Sequence, residues 1–414
     1  RLHPRARVTD GRRTPFLGHD GEWVRRRERP PVKRARASKG ILPYQDIVQL
    51  IGNGAITSDA PIENRQIQPA SLDLRLGKKA YRLISSFLPE LSAISSRLNV
   101  LDFYQSDLVM YEMDLSHGAI LEKGHVYLVP LLEQLNLPAT LRARANPKST
   151  TGRLDVFTRV VTDLNAGFDE IRAGYRGPLY LEVVPRSFAI KVRTGDSLNQ
   201  IRFVRGDATV SDSALQKLHG TDPLLYRNAS PPKALPQKEF RTERGLFLRI
   251  DLTGSAREDA VIGYRAKKNS HVIDLAKIGH YAALDFWEPL KRHRHDSLLL
   301  EPEEFYILAS KERIRVPPGY AAEMVAYEAA CGELRTHYAG FFDPGFGYGD
   351  GKMRGTQVVL EVRPHDVPFL IHDGQTFFKV VYDQMVTVPT QVYGTALGSS
   401  YQRQALTLSK HFKA

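Results

Sequence analysis

Residues 124–153 read GHVYLVPLLEQLNLPATLRARANPKSTTGR, and residues 303–333 read EEFYILASKERIRVPPGYAAEMVAYEAACGE. Tyr127 matches Tyr306, Pro138 matches Pro318 and Gly152 matches Gly332. Farther on, RGPLYLEVVPR at 176–186 parallels RGTQVVLEVRPH at 354–365, and Gly195 parallels Gly374. The offset stays at 178–180 residues over about 80 positions, a constancy that chance does not produce. Self-similarity at a fixed offset is the mark of a duplicated unit.

Each copy alternates apolar and polar residues in short runs broken by Gly, Pro, Asn and Asp. Ser71-Leu72-Asp73-Leu74-Arg75-Leu76 is one such run and Tyr180-Leu181-Glu182-Val183 another. A period of two with closely spaced turns predicts antiparallel strands, so each half should be a β-barrel or sandwich. A short helix is expected over 44–53, where Ile47, Val48, Leu50 and Ile51 supply an apolar face. The Pro-rich, charged stretch 216–245 reads as a linker. The expected organisation is an extension at 1–39, a first domain at 40–215, the linker, and a second domain at 246–414.

The net charge of +12 is unevenly placed: residues 1–39 hold 13 Lys or Arg against 4 Asp or Glu, leaving only +3 elsewhere. With little apolar content to offset ordering entropy, that extension is expected to be disordered. It reads either as a solvated or misassigned extension or as a basic arm touching RNA, DNA or another polyanion. No apolar run is long enough to cross a membrane, and no signal-peptide pattern opens the chain. The single cysteine, Cys331, excludes an intramolecular disulfide and suits a reducing cytoplasm.

Several residues have the chemistry of a site. Leu179, Leu181 and Val183 share one strand face opposite Tyr180 and Glu182, and the second copy repeats the pattern around Glu361. A carboxylate among apolar residues can have its pKa raised towards neutrality, as a general base requires; a solvent-facing strand glutamate is the plainer alternative. Asn146-Pro147-Lys148-Ser149-Thr150-Thr151-Gly152-Arg153 offers hydroxyls, backbone N–H groups and two cations, which suits a polyphosphate. The second copy replaces it with Tyr327-Glu328-Ala329-Ala330-Cys331-Gly332-Glu333, where anionic phosphate would be repelled. Zinc-dependent nucleobase deaminases need a Pro-Cys-x-x-Cys pair, which one cysteine cannot supply. The cations around His293 and His295 disfavour a metal, and that run reads as a solvated basic turn. Cys331 reads as a small packing residue.

The segments QIQPASLDLRLG (66–77), HYAGFFDPGFG (337–347) and YGTALGSSYQRQ (393–404), with PKSTTGR and the paired LEV strands, resemble the dCTP deaminases. That family belongs to the dUTPase-like superfamily of trimeric β-barrels. The resemblance implies a mainly β chain of two tandem dUTPase-like barrels with a few short helices. It implies deamination of dCTP to dUTP and ammonia on the way to dTTP, by water activated at Glu361 or Glu182 without zinc. Ser149 and Arg153 would orient the water, and Lys148 and Thr150 would meet phosphate. Asp343, Gly345 and Phe346 would line the base and sugar pocket. Tyr393, Tyr401 and Gln404 would close over a triphosphate escorted by Mg²⁺.

The first copy lacks the Asp-Pro-Gly and the second lacks the Ser/Arg loop, so the halves are expected to complement one another, which favours Glu361. Three-fold assembly of chains is implied, and dTTP is a candidate inhibitor. The sequence leaves open a dUTP pyrophosphatase or bifunctional enzyme, on Ala173-Gly174-Tyr175-Arg176-Gly177, and a non-catalytic nucleotide-binding module. Arg172 stands where a dUTPase would need its water-activating Asp.

Overall fold

The computed structural model describes residues 39–88, 108–163, 165, 167–254, 260–326, 334–335, 340–349, 351–394, 401–402 and 404–413. The basic extension, apart from Lys39, lies outside them, as do Cys331 and the second-copy loop 327–333. In the first half, helix α1 (Tyr44–Gly52) precedes strands β1 (Val126–Asn136) and β2 (Leu141–Pro147). A one-turn helix α2 (Ser149–Gly152), then β3 (Val156–Val161), β4 (Arg176–Pro185) and β5 (Asn199–Arg205) follow. Ile47 of α1 is fully buried, as its apolar face requires.

The stretch read as a linker is folded. Helix α3 (Asp212–Thr221) and strand β6 (Leu225–Arg227) occupy its beginning. Leu224, Leu225, Leu235 and Phe240 are buried in the second half's core, so its apolar residues outweigh its prolines. The second half continues with β7 (Leu246–Asp251), β8 (Tyr306–Ile314), β9 (Tyr320–Ala326), β10 (Phe341–Phe342), β11 (Thr356–Pro364) and β12 (Thr376–Gln384).

Among the described residues these strands form open sheets that pack on one another, where closed barrels were expected. β4 lies between β1 and β3, and β11 pairs with β8. β7 pairs with β12 as far as Arg249, past a bulge at Leu248/Arg249, and with β8 at Ile250 and Asp251. Pro130 and Pro178 each withhold an N–H between β1 and β4.

The repeat is exact enough to reproduce individual bonds. The Tyr127 hydroxyl accepts the Glu122 N–H at 2.9 Å, and the Tyr306 hydroxyl accepts the Glu301 N–H at 2.9 Å. Arg75 donates N–H and Nε to the Glu133 carboxylate at 2.7 Å each, and Arg249 does the same to Glu312 at 2.8 and 2.6 Å. Glu182 stands opposite Leu128, and Glu361 opposite Ile307.

One core cluster joins the halves: Leu181 and Phe203 share it with Ile273, Trp287, Phe305, Ile307 and Val359. A second, with Leu248, Leu308, Leu360 and Phe378, belongs to the second half. Each such side chain contributes roughly 1.5–3 kcal/mol on burial. Val359 in the shared core turns the Val359/Glu361 face of β11 towards the first half. The strand alternation therefore separates two buried faces rather than core from solvent.

Candidate active site

β2 ends at Pro147, whose missing N–H closes the strand, and Lys148 caps α2 in extended conformation. The cap leaves Ser149 and Arg153 one helical turn apart, and Arg153 Nε donates to Ser149 Oγ at 3.2 Å. Arg153 is buried; its Nη1 donates to the Thr407 carbonyl at 2.8 Å and its Nη2 to Gln404 Oε1 at 2.5 Å. Its guanidinium lies 3.9 Å from the Tyr401 ring centroid. Gln404 is held in turn by donating to the Gln357 carbonyl at 3.0 Å, and Tyr401 shares a 3.2 Å hydrogen bond with Thr150. Gln404 and Tyr401, expected to close over the triphosphate, contact Arg153 and the Ser/Arg loop.

Glu361 of β11 faces this loop across the boundary between the halves. Both line a cavity of about 60 Å³ that also meets Asp343, Phe346, Tyr393, Tyr401 and Gln404. Burial pushes the Glu361 carboxyl up to about 8, the Arg153 charge opposing and the Asp155 charge adding to the rise. No cation lies within ion-pairing distance of Glu361 among the described residues. Asp343 pairs at 3.1 Å with Arg202 of β5, and burial holds its carboxyl above the ordinary range. Gly345, at φ +99°, brings its backbone against Tyr393; a Cβ there would stand 2.9 Å from the Tyr393 nitrogen. The Phe346 and Tyr393 rings lie 5.5 Å apart, and burial beside Asp343 raises the Tyr393 phenol.

A second cleft of about 740 Å³ shares Lys148, Ser149, Asp343, Tyr393 and Tyr401 with the small cavity and adds Thr150, Arg65, Arg75 and Lys410. Lys148 is ion-paired with Asp73. The arrangement is a small buried pocket with a near-neutral carboxyl that shares lining residues with a large polar cleft, whose walls carry Arg65, Arg75, Lys148 and Lys410 together with Glu63, Asp73, Asp196 and Asp343 and several hydroxyls. It suits a base attached to a polyphosphate.

Two family models match: the N-terminal domain of 2'-deoxycytidine 5'-triphosphate deaminase over residues 38–207, and its C-terminal domain over 211–412. A 2'-deoxycytidine 5'-triphosphate deaminase from Agrobacterium tumefaciens superposes with a TM-score of 0.79 at 48% identity, covering 87% of this chain and 100% of that one. The chain belongs to the dCTP deaminase family. A dUMP-forming dCTP deaminase from Sulfurihydrogenibium is 31% identical over 166 residues, 40% of this chain and 83% of the relative. One from Methanoculleus marisnigri is 32% identical over 170 residues, 40% and 81% respectively.

Within this member of the dCTP deaminase family, the two repeated glutamates meet different surroundings. Glu182 accepts Arg159 Nε at 3.0 Å, and that guanidinium lies 3.6 Å from the Phe168 ring centroid. The Glu182 carboxylate is thus engaged by a cation. Glu182 lies apart from the Ser/Arg loop cavity, which Glu361 lines. Arg202 and Asp155 were not foreseen. A charged residue inside the apolar run Ile201-Arg202-Phe203 was the available signal for the first, since such a charge needs a buried partner. Asp155 stands at φ 54° and pairs with Arg363, a long-range contact with no local signal. His293 and His295 lie in an exposed turn, with rings 5.4 Å apart.

Proposed function

We propose that this chain hydrolyses the exocyclic amine of dCTP, giving dUTP and ammonia, with Glu361 as the proton carrier. The observation that carries this reading is the Glu361 carboxyl, raised to about 8, in a cavity shared with Ser149 and Arg153. A carboxyl that titrates near neutrality can take a proton from water and return it within one turnover. Glu361 deprotonates a water that attacks C4 of the cytosine. It then passes protons to N3 and to the leaving ammonia. Arg153, fixed through four contacts, holds its charge beside the carboxylate, and Ser149 presents its hydroxyl to the water. No zinc takes part in this scheme.

Lys148 and Thr150 meet the phosphates, and Asp343, Gly345, Phe346 and Tyr393 enclose base and sugar. Mg²⁺ arrives as part of the substrate, bound to the triphosphate. The product feeds dTTP synthesis. Three-fold assembly of chains, inhibition by dTTP and a cytoplasmic place of action belong to the same reading.

A second reading is favoured by the names of the curated relatives, several of which are dUMP-forming. In that case a second water attacks the α-phosphate, the bond to the β-phosphate breaks, and diphosphate leaves in the same catalytic cycle. The dUTPase-like pocket in the first half offers little towards it: the Tyr175 phenol is turned inward to the Pro178 carbonyl at 2.6 Å, and Arg172 is exposed. Ammonia release from dCTP with Mg²⁺, followed by chromatography of the nucleotides, tests both. Ammonia with dUTP supports the first reading, and dUMP with diphosphate the second. A folded protein that binds dCTP without releasing ammonia would overturn both.

A further inference from the structure

Four basic side chains line the large cleft beside the Ser/Arg loop: Arg65, Arg75, Lys148 and Lys410. Three have carboxylate partners. Arg65 pairs with Glu63 at 2.5 Å, Arg75 with Glu133 at 2.7 Å, and Lys148 with Asp73. Lys410 has no carboxylate within ion-pairing distance among the described residues. Asp73 and Asp196 attract it from farther off, while burial and the Lys148 charge push its ammonium below the ordinary lysine range. The neighbouring His411 adds no charge near neutrality, since burial lowers it to about 4. Two ammonium groups of like charge thus face one cleft, and one of them has no counter-ion.

The segment that carries Lys410 is fixed from both sides. Its N–H donates to the Tyr401 hydroxyl at 3.3 Å, and its carbonyl accepts the Gly279 N–H at 2.9 Å. Ser409 Oγ donates to the Thr150 carbonyl at 3.1 Å, which ties the segment to α2. Phe412 packs edge-on against Phe286, with centroids 5.4 Å apart, and closes the end of the chain onto the core. A lysine held on a rigid backbone at a cleft wall is prepared for an anion that arrives from outside.

We propose that Lys410 binds the distal phosphates of the nucleoside triphosphate. It lies beyond the tail motif at 393–404 and lines the same cleft as Lys148, tied to Thr150 of α2 through the Tyr401 hydroxyl and Ser409. This rests on the reading of the small cavity as the base site, because that fixes which end of the nucleotide reaches the cleft. Lys410 takes no part in proton transfer at Glu361; it sets the preference for a triphosphate over shorter nucleotides.

The test compares wild type with K410Q, K410R and the control K413Q, measuring kcat and KM for dCTP, dCDP and dCMP with Mg²⁺. A charge-assisted contact contributes about 1.5–3 kcal/mol, so K410Q should raise the KM for dCTP by about tenfold or more. Its kcat should stay within about twofold, its KM for dCMP should not move, and K410R should restore most of the loss. An unchanged KM for dCTP in K410Q, or an equal rise for all three nucleotides, would overturn the proposal. Should the wild type release no ammonia from dCTP, the deaminase reading fails and the binding question stands. Inorganic tripolyphosphate, titrated calorimetrically into the same proteins, then decides it. Weaker binding to K410Q supports Lys410, and equal binding overturns it.

Discussion

A Cβ placed on Gly152 would stand 2.8 Å from the carboxyl carbon of Glu361. The two residues belong to opposite halves of the chain, and each occupies a site its own repeat marks. Gly152 ends α2, the turn that separates Ser149 from Arg153, so the loop and the carboxyl share one surface with no room for a methyl group. Gly152 has no need of left-handed backbone freedom; the requirement is space.

Gly152→Ala should therefore fold and lose activity. Displacing the carboxyl or the loop by an ångström costs on the order of 10²-fold in rate. The expected outcome is a fall of about that size in kcat with dCTP, with a circular dichroism spectrum like that of wild type. Wild-type kcat in this variant would show that the close approach does not govern the reaction.

The two glutamates should separate cleanly on substitution. Glu361→Gln removes the proton carrier and should lower kcat by about 10²–10⁴-fold. Glu182→Gln should keep kcat within a few-fold, because its carboxylate serves Arg159. It should lower stability by about 1–3 kcal/mol, the cost of leaving a partly buried donor poorly satisfied. Urea denaturation and ammonia assays on both variants check this, and the reverse pattern would transfer the role to Glu182.

The pH profile should report the same carboxyl. Glu361 acts as base in its charged form, and burial raises it to about 8. Log kcat/KM should then rise with unit slope through neutrality and level off above pH 8. The folded protein prefers the protonated form, so the contribution to stability is present below the unfolded value near 4.5 and is lost as pH climbs towards 8. Glu361→Gln should flatten that part of the stability curve. Asp155→Asn removes a charge that adds to the rise and should move the kinetic inflection to lower pH. That variant also leaves Arg363 without its buried carboxylate, at a cost of about 3–5 kcal/mol.

Arg153→Lys keeps the charge and loses the fork. A single ammonium cannot reach Ser149, the Thr407 carbonyl and Gln404 together, nor lie flat over Tyr401 as the guanidinium does. Activity should fall by about 10²-fold, with the pH inflection close to that of wild type because the charge beside Glu361 remains. A Lys variant with full activity would show that only the charge matters.

Much of the architecture was legible because it is local or periodic. Strand alternation and the repeat offset follow from residues near one another in sequence, and they return as the matched Tyr127 and Tyr306 hydrogen bonds. The segment 216–245 was misread because proline and charge density mark turns well. They say little about whether Leu224, Leu235 and Phe240 will find a core to enter. Barrels were expected from the strand alternation and the family resemblance, whereas how each strand is shared between neighbours, as β7 is between β12 and β8, depends on residues distant in sequence.

By itself the sequence determined the duplication, the β character, the Ser149/Arg153 loop and a pair of glutamates in equivalent strand positions. Those follow from residue type and spacing, which the chain carries wherever it goes. Only the tertiary structure decided that Arg159 neutralises Glu182, that Arg202 meets Asp343, and that Glu361 rests against Gly152. The first joins paired strands 23 residues apart, and the other two join the two halves of the chain. The pKa of a carboxyl depends on which distant charges and apolar atoms surround it in space, and one-dimensional spacing does not contain that information.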